Sequence, residues 1–163
     1  MKIKKSNSIL KTAFQLEEYI PLKIKFDTTV EEYHPGCEFV KGDSSLLELL
    51  FGEISHQLFA ITLVTCNEYK ILNTALPLFD TIDGNICIDE EISETLTHFE
   101  TSTFLTEIYS NGTIIRLSDK PIHCFYKNNE IIWGVDNDGD ICQFIVYMDN
   151  EVVEHLTNEL QLQ

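Results

Sequence analysis

The sequence predicts an α+β fold: a C-terminal antiparallel β-meander of about five strands packed against two or more helices. Two observations carry it. Five short apolar, β-prone segments follow one another after residue 100, each separated from the next by a turn signal. The chain then closes on a stretch that places Val152, Val153, Leu156 and Leu160 on one helical face.

The elements before residue 100 are more varied. Leu22, Ile24 and Phe26 alternate with Lys23, Lys25 and Asp27, the period of a half-buried strand. Tyr33-His34-Pro35-Gly36 is a turn. Asp43 or Ser44 can cap a short helix through Leu46, Leu47, Leu49, Leu50 and Phe51, with Gly52 near its end. Leu58–Cys66 is continuously apolar and β-branched, which reads as a buried strand, although a buried helix also fits. Asp80–Asn85 reads as a turn. Asp89 is an N-cap for a helix across Glu90–Phe99, whose first turns carry Glu90, Glu91 and Glu94 at the positive end of the helix dipole.

After residue 100, Asn111-Gly112 joins Phe104–Tyr109 to Thr113–Leu117 as a hairpin, because this dipeptide readily supplies the positive φ of a tight turn. Asp119-Lys120-Pro121 leads into His123–Lys127, Asn128-Asn129 into Glu130–Val135, and Asp136-Asn137-Asp138-Gly139 into Asp140–Met148. A helix follows from about Asn150. It covers the apolar face of the meander, together with the helix after Asp89.

At 163 residues the chain has the length of one domain, spanning 1–163, with no repeat or low-complexity linker to divide it. With 44% hydrophobic residues it can build a core. No apolar run approaches the roughly 18–20 residues of a membrane helix. Polar residues interrupt the stretch after Met1–Lys5, so no secretory h-region forms, and the expected compartment is the cytosol. The five cysteines (Cys37, Cys66, Cys87, Cys124, Cys142) are odd in number and lack any CxxC pair. They read as buried, reduced thiols rather than as a disulfide framework.

Chemistry-bearing motifs are sparse. Asp136–Asp140 looks like a calcium loop, but an EF-hand register from Asp136 puts Ile141 where glycine is required and Tyr147 where the bidentate glutamate is required. It reads instead as a hairpin tip. His34-Pro35-Gly36-Cys37 lacks the further ligands a metal site needs. The seven glycines form neither GxGxxG nor a P-loop. No nucleophile–base motif is present, so the expectation is a non-enzyme without metal or cofactor. Trp133 is either a core residue or a partner-facing aromatic.

Charge stands out. Acids outnumber bases 27 to 11, for a net charge of −16. Residues 1–25 hold six lysines against two acids, a balance of +4, and the remainder is at −20. The N-terminal stretch is either an internal counter-charge or a solvated edge. One arginine and this acidity weigh against direct nucleic-acid binding. Solubility is served by a net charge of about 2–8 in magnitude. The surplus suits capture of a basic partner, whose association a complementary field accelerates.

In size, acidity and single-domain organisation the chain resembles the immunity proteins of bacterial contact-dependent inhibition and other polymorphic toxin systems. Its Lys/Asn/Ile-rich, Arg-poor usage is similar to that of an A+T-rich bacterial gene. The resemblance implies a cytosolic inhibitor that neutralises a cognate basic toxin domain, a nuclease being the expected kind, and involves no membrane. The residues expected to meet the toxin are the hairpin tip Asp136, Asp138 and Asp140 and the acids Asp83, Asp89, Glu90, Glu91 and Glu94, with Trp133 or Tyr147 as apolar anchor. The alternative is an acidic DNA mimic that inhibits a nucleic-acid-processing enzyme. Oligomeric state is not legible.

Overall fold

The computed structural model describes residues 1–28, 36–88 and 97–163. Among them the chain is mostly β: fifteen strands in three sheets and one C-terminal α-helix. The expected α+β arrangement is therefore corrected: the apolar face of the C-terminal strands packs against a second large sheet, and a single helix, not two or more, joins that core.

The first large sheet holds β2 (Thr12–Phe14), β3 (Leu22–Phe26), β4 (Gly36–Lys41), β5 (Ser45–Phe51), β6 (Leu58–Cys66) and β10 (Thr97–Glu100), in the order β10-β4-β5-β6-β3-β2. The expected helix at 44–51 is the strand β5. Ser45, Leu47, Leu49 and Phe51 are buried while Leu46, Glu48 and Leu50 are half-exposed, so the period is two. The hairpin β4–β5 decides it. Gly42 takes φ 54° in the turn, and the amide and hydroxyl of Ser44 both donate to the Lys41 carbonyl, at 3.2 and 2.9 Å. Every outward residue of β5 then gains a cross-strand neighbour on both sides. The strand at 58–66 is as expected. Its continuous apolar run hides two register shifts against β5, which let Leu58, Ile61, Leu63 and Cys66 all face inward.

The helix expected across Glu90–Phe99 is overturned at its end. Thr97–Phe99 belong to β10, which adds in parallel to β4 and stacks Phe99 on Phe39 with ring centroids 5.5 Å apart. Residues 89–96 lie outside the described residues, as do Tyr33, His34 and Pro35 of the expected turn.

The second large sheet holds β7 (Tyr69–Ile71), β8 (Ile82–Asp83), β11 (Leu105–Tyr109), β12 (Gly112–Arg116), β13 (Cys124–Asn128), β14 (Ile131–Val135) and β15 (Ile141–Tyr147). The five strands expected after residue 100 are all present, but not as a meander. The order β7-β11-β12-β15-β14-β13-β8 places β15 between β12 and β14, so β12–β15 form a Greek key. The remaining pair, β1 (Ile3–Ser6) with β9 (Asn85–Ile88), is antiparallel.

One hydrophobic cluster draws on the inward rows of both large sheets, including Ile24, Leu47, Leu49, Ile61, Trp133 and Phe144. The helix α1 (Asn150–Gln161) adds Val152, Leu156 and Leu160, the face its sequence periodicity picks out. Asp149 caps it by accepting the Val152 amide at 3.0 Å. A smaller cluster on the far face of the second sheet (Ile114, Ile132, Ile145) is covered by Leu76, from an irregular strap over residues 72–81.

Candidate partner-binding surfaces

The outward face of the first sheet carries a charged row that crosses five strands. Lys23 on β3 stands opposite Thr62 on β6, Thr62 opposite Glu48 on β5, Glu48 opposite Glu38 on β4, and Glu38 beside His98 on β10. Like charges directly opposite one another are unfavourable in an antiparallel pair. The neighbouring cations relieve this only in part. His98 Nδ1 lies 2.8 Å from Glu38 Oε2, and His98 is a cation only when protonated. The Lys23 ammonium is engaged by Glu17 at 2.8 Å. Burial, and then the Glu38 charge, push the Glu48 carboxyl above its ordinary value against the opposing pull of Lys23. Val40, Leu46 and Leu50 flank the row, half-exposed. An acidic stripe between apolar ridges can receive a cationic side chain and desolvate it against carbon.

The hairpin tip Asp136, Asp138 and Asp140 is tied together from within. Asp136 Oδ1 accepts the amides of Asp138 and Asp140, each at 2.9 Å, which turns the chain, and Gly139 follows at φ 84°. Lys120 brings its ammonium to 2.9 Å from Asp136 Oδ2, 3.4 Å from Asp140 Oδ2 and 3.9 Å from Asp138 Oδ2. The Met1 amino group adds a second cation, 3.2 Å from Asp140 Oδ1. Burial pushes the Asp136 carboxyl up, but the Lys120 bond and the two amides outweigh it and hold the group below its usual value. Three carboxylates therefore face two local cations, and Asp138 alone of the three is widely exposed.

The other expected contact residues are scattered. Asp83 is exposed on β8, at the edge of the second sheet. Asp89, Glu90, Glu91 and Glu94 lie outside the described residues. Trp133 is 0% exposed, stacked on Phe144 at 5.5 Å, and presents no surface to a partner. Tyr147 is half-buried and donates its hydroxyl to the Pro77 carbonyl at 3.3 Å.

The lysines of the first 25 residues act mainly as a solvated edge. Lys2, Lys5, Lys11 and Lys25 have no ion pair among the described residues, and Lys23 pairs within its own stretch. Met1 pairs with Asp140 of the acidic body.

Glu38 and Glu48 are not legible as a pair in the sequence, because the pattern around Glu48 also fits a helix. A hairpin centred on Asp43, with Lys41 paired to Ser45, sets them opposite each other.

None of the five cysteines forms a disulfide. Cys37, Cys66, Cys87 and Cys142 are buried and Cys124 is half-buried. Burial pushes the Cys66 thiol up, against the Thr106 hydroxyl 3.1 Å from its Sγ. Among the described residues no group of three or more His, Cys, Asp or Glu side chains could hold a metal ion, and no helix is long and apolar enough to cross a membrane. No protein-family model matches the sequence, and no curated protein matches it.

Proposed function

We propose that this chain is a stoichiometric binding protein without turnover of its own, an immunity protein that captures and neutralises a cognate basic toxin domain in the cytosol. The opposed Glu38 and Glu48 carboxylates are the observation that supports this reading best. They sit on a half-exposed sheet face, where burial and then the Glu38 charge raise the ionisation cost of Glu48, in a chain of net charge −16. A feature that works against stability is explained if a cation from the partner completes it. In this mechanism a Lys or Arg that the toxin uses for phosphate contacts docks between the two carboxylates. The long-range field of the acidic body raises the encounter rate above that of an uncharged pair. A nuclease is the toxin class whose own function demands such cations.

The test is co-expression with the basic C-terminal toxin domain encoded beside this chain's gene. Rescue of growth, with a complex that survives moderate salt, supports the proposal. Loss of rescue in the double variant Glu38→Gln/Glu48→Gln would assign it to this face. Absence of rescue by the unaltered chain refutes it, and displacement of the partner by any duplex DNA would mark a DNA mimic instead.

A further inference from the structure

The strap over residues 72–81 is held at several points, and this bears on what its outer side does. The Leu72 amide donates to the Ile108 carbonyl at 2.7 Å, the Ser110 amide to the Thr74 carbonyl at 2.9 Å, and the Leu76 amide to Asn111 Oδ1 at 2.7 Å. Leu76 is buried against Ile114, Ile132 and Ile145, Tyr147 bonds the Pro77 carbonyl, and the Phe79 ring packs on Phe125 with centroids 5.2 Å apart. Between these anchors Leu78 points away from the protein and is 96% exposed. Four residues on, Ile82 is 50% exposed. Beside it a depression of about 330 Å³ is lined by Asp80, Thr81, Ile82, His123, Cys124 and Phe125.

A large apolar side chain on a loose loop can turn inward when no partner is present. Leu78 is denied that option, because both its neighbours are fixed by inward contacts. An anchor held this way loses little conformational entropy on binding. Its surroundings select the occupant. Asp80 and Asp83 are exposed and have no ion pair among the described residues. A second copy of a chain at −16 is repelled. We infer that Leu78, Ile82 and the adjoining depression form an apolar anchor site for a cationic, amphipathic segment of a protein partner, with Asp80 and Asp83 meeting its Lys or Arg residues. The inference rests on the reading of this chain as a binder of a cationic protein, and it names the second contact.

The test uses two synthetic peptides of equal length and charge, one of lysine and serine and one of lysine and leucine, titrated into the full chain by calorimetry. The leucine peptide is expected to bind at least tenfold more tightly. Leu78→Ser/Ile82→Ser should remove that increment and leave the serine peptide's affinity unchanged. Leu162→Ser, at an exposed leucine on the far end of α1, should leave the increment intact. If the serine peptide binds and the leucine peptide binds no better, or the increment survives the double substitution, the anchor is overturned while the electrostatic reading stands. If neither peptide binds, both are overturned.

Discussion

Glu38 and Glu48 occupy directly opposed positions of the antiparallel pair β4–β5, on the outward face of their sheet, and Lys23, the cation that acts on Glu48, is already engaged by Glu17. The hydrophobic cluster that unites the two large sheets tolerates this pair without needing it.

Glu48→Gln should therefore stabilise the free protein. The gain at neutral pH is small, about 0.5 kcal/mol, because the carboxyl is open enough to solvent for screening to weaken the repulsion. The sign with pH follows from the raised carboxyl. Its cost is absent below the ordinary carboxylate value and grows as pH rises through the higher folded value. Urea unfolding at a series of pH values checks this. The variant and the unaltered chain should converge in acid and separate toward neutrality.

Asp136 is expected to behave in the opposite way. Its carboxyl is held low in the folded protein, so its contribution is present above the ordinary carboxylate value and is lost as pH falls through the depressed one. Asp136→Ala also leaves two turn amides without their acceptor and should cost about 2 kcal/mol. Lys120→Met should lower the thermal midpoint and flatten the acid limb of the stability profile. Thermal melts between acid and neutral pH test both.

Trp133 is the only tryptophan and lies in the core. Trp133→Ala should cost about 3–5 kcal/mol through the lost burial and the cavity left against Phe144. In the unaltered chain its emission should be blue-shifted, resistant to iodide, and shifted to the red in the same transition that removes the far-ultraviolet dichroism.

Gly112 begins β12 at φ 155°, and a Cβ there would meet the Val146 carbonyl oxygen at 2.1 Å and a methyl of Leu76 at 2.5 Å. Gly112→Ala should destabilise by more than about 1 kcal/mol, since the backbone of β15 cannot yield as a side chain could. Amide exchange should localise the loosening to β11, β12 and β15.

Local signals carried much of the fold into the sequence. The Leu22–Phe26 alternation and the helix from Asn150 are each decided within a few residues and stand where their patterns put them. Asn111-Gly112 marks the hairpin but not its register: Tyr109 pairs with Gly112, so the turn is Ser110-Asn111 and Gly112 begins β12. At 45–51 the pattern is degenerate. Leu46, Leu49 and Leu50 satisfy a helical face while Leu47, Leu49 and Phe51 satisfy a strand, because β5 carries apolar side chains on both its faces. Only pairing with β4 and β6 breaks the tie, and pairing is a long-range event. The Greek-key order was hidden for the same reason: consecutive strand patterns do not say which strand lies between which. The candidate surfaces inherit these limits. Glu38 and Glu48 come together only through the β4–β5 register, and the Asp136 turn looked like a free anionic tip because Lys120, sixteen residues earlier, gave no local sign of reaching it.

The most direct measurement is the association rate of this chain with the toxin domain proposed as its partner, as a function of ionic strength. Electrostatic capture predicts a rate that falls steeply with added salt, with a shallower slope for Glu38→Gln/Glu48→Gln. A rate indifferent to salt, or a slope that the double variant leaves unchanged, would contradict it.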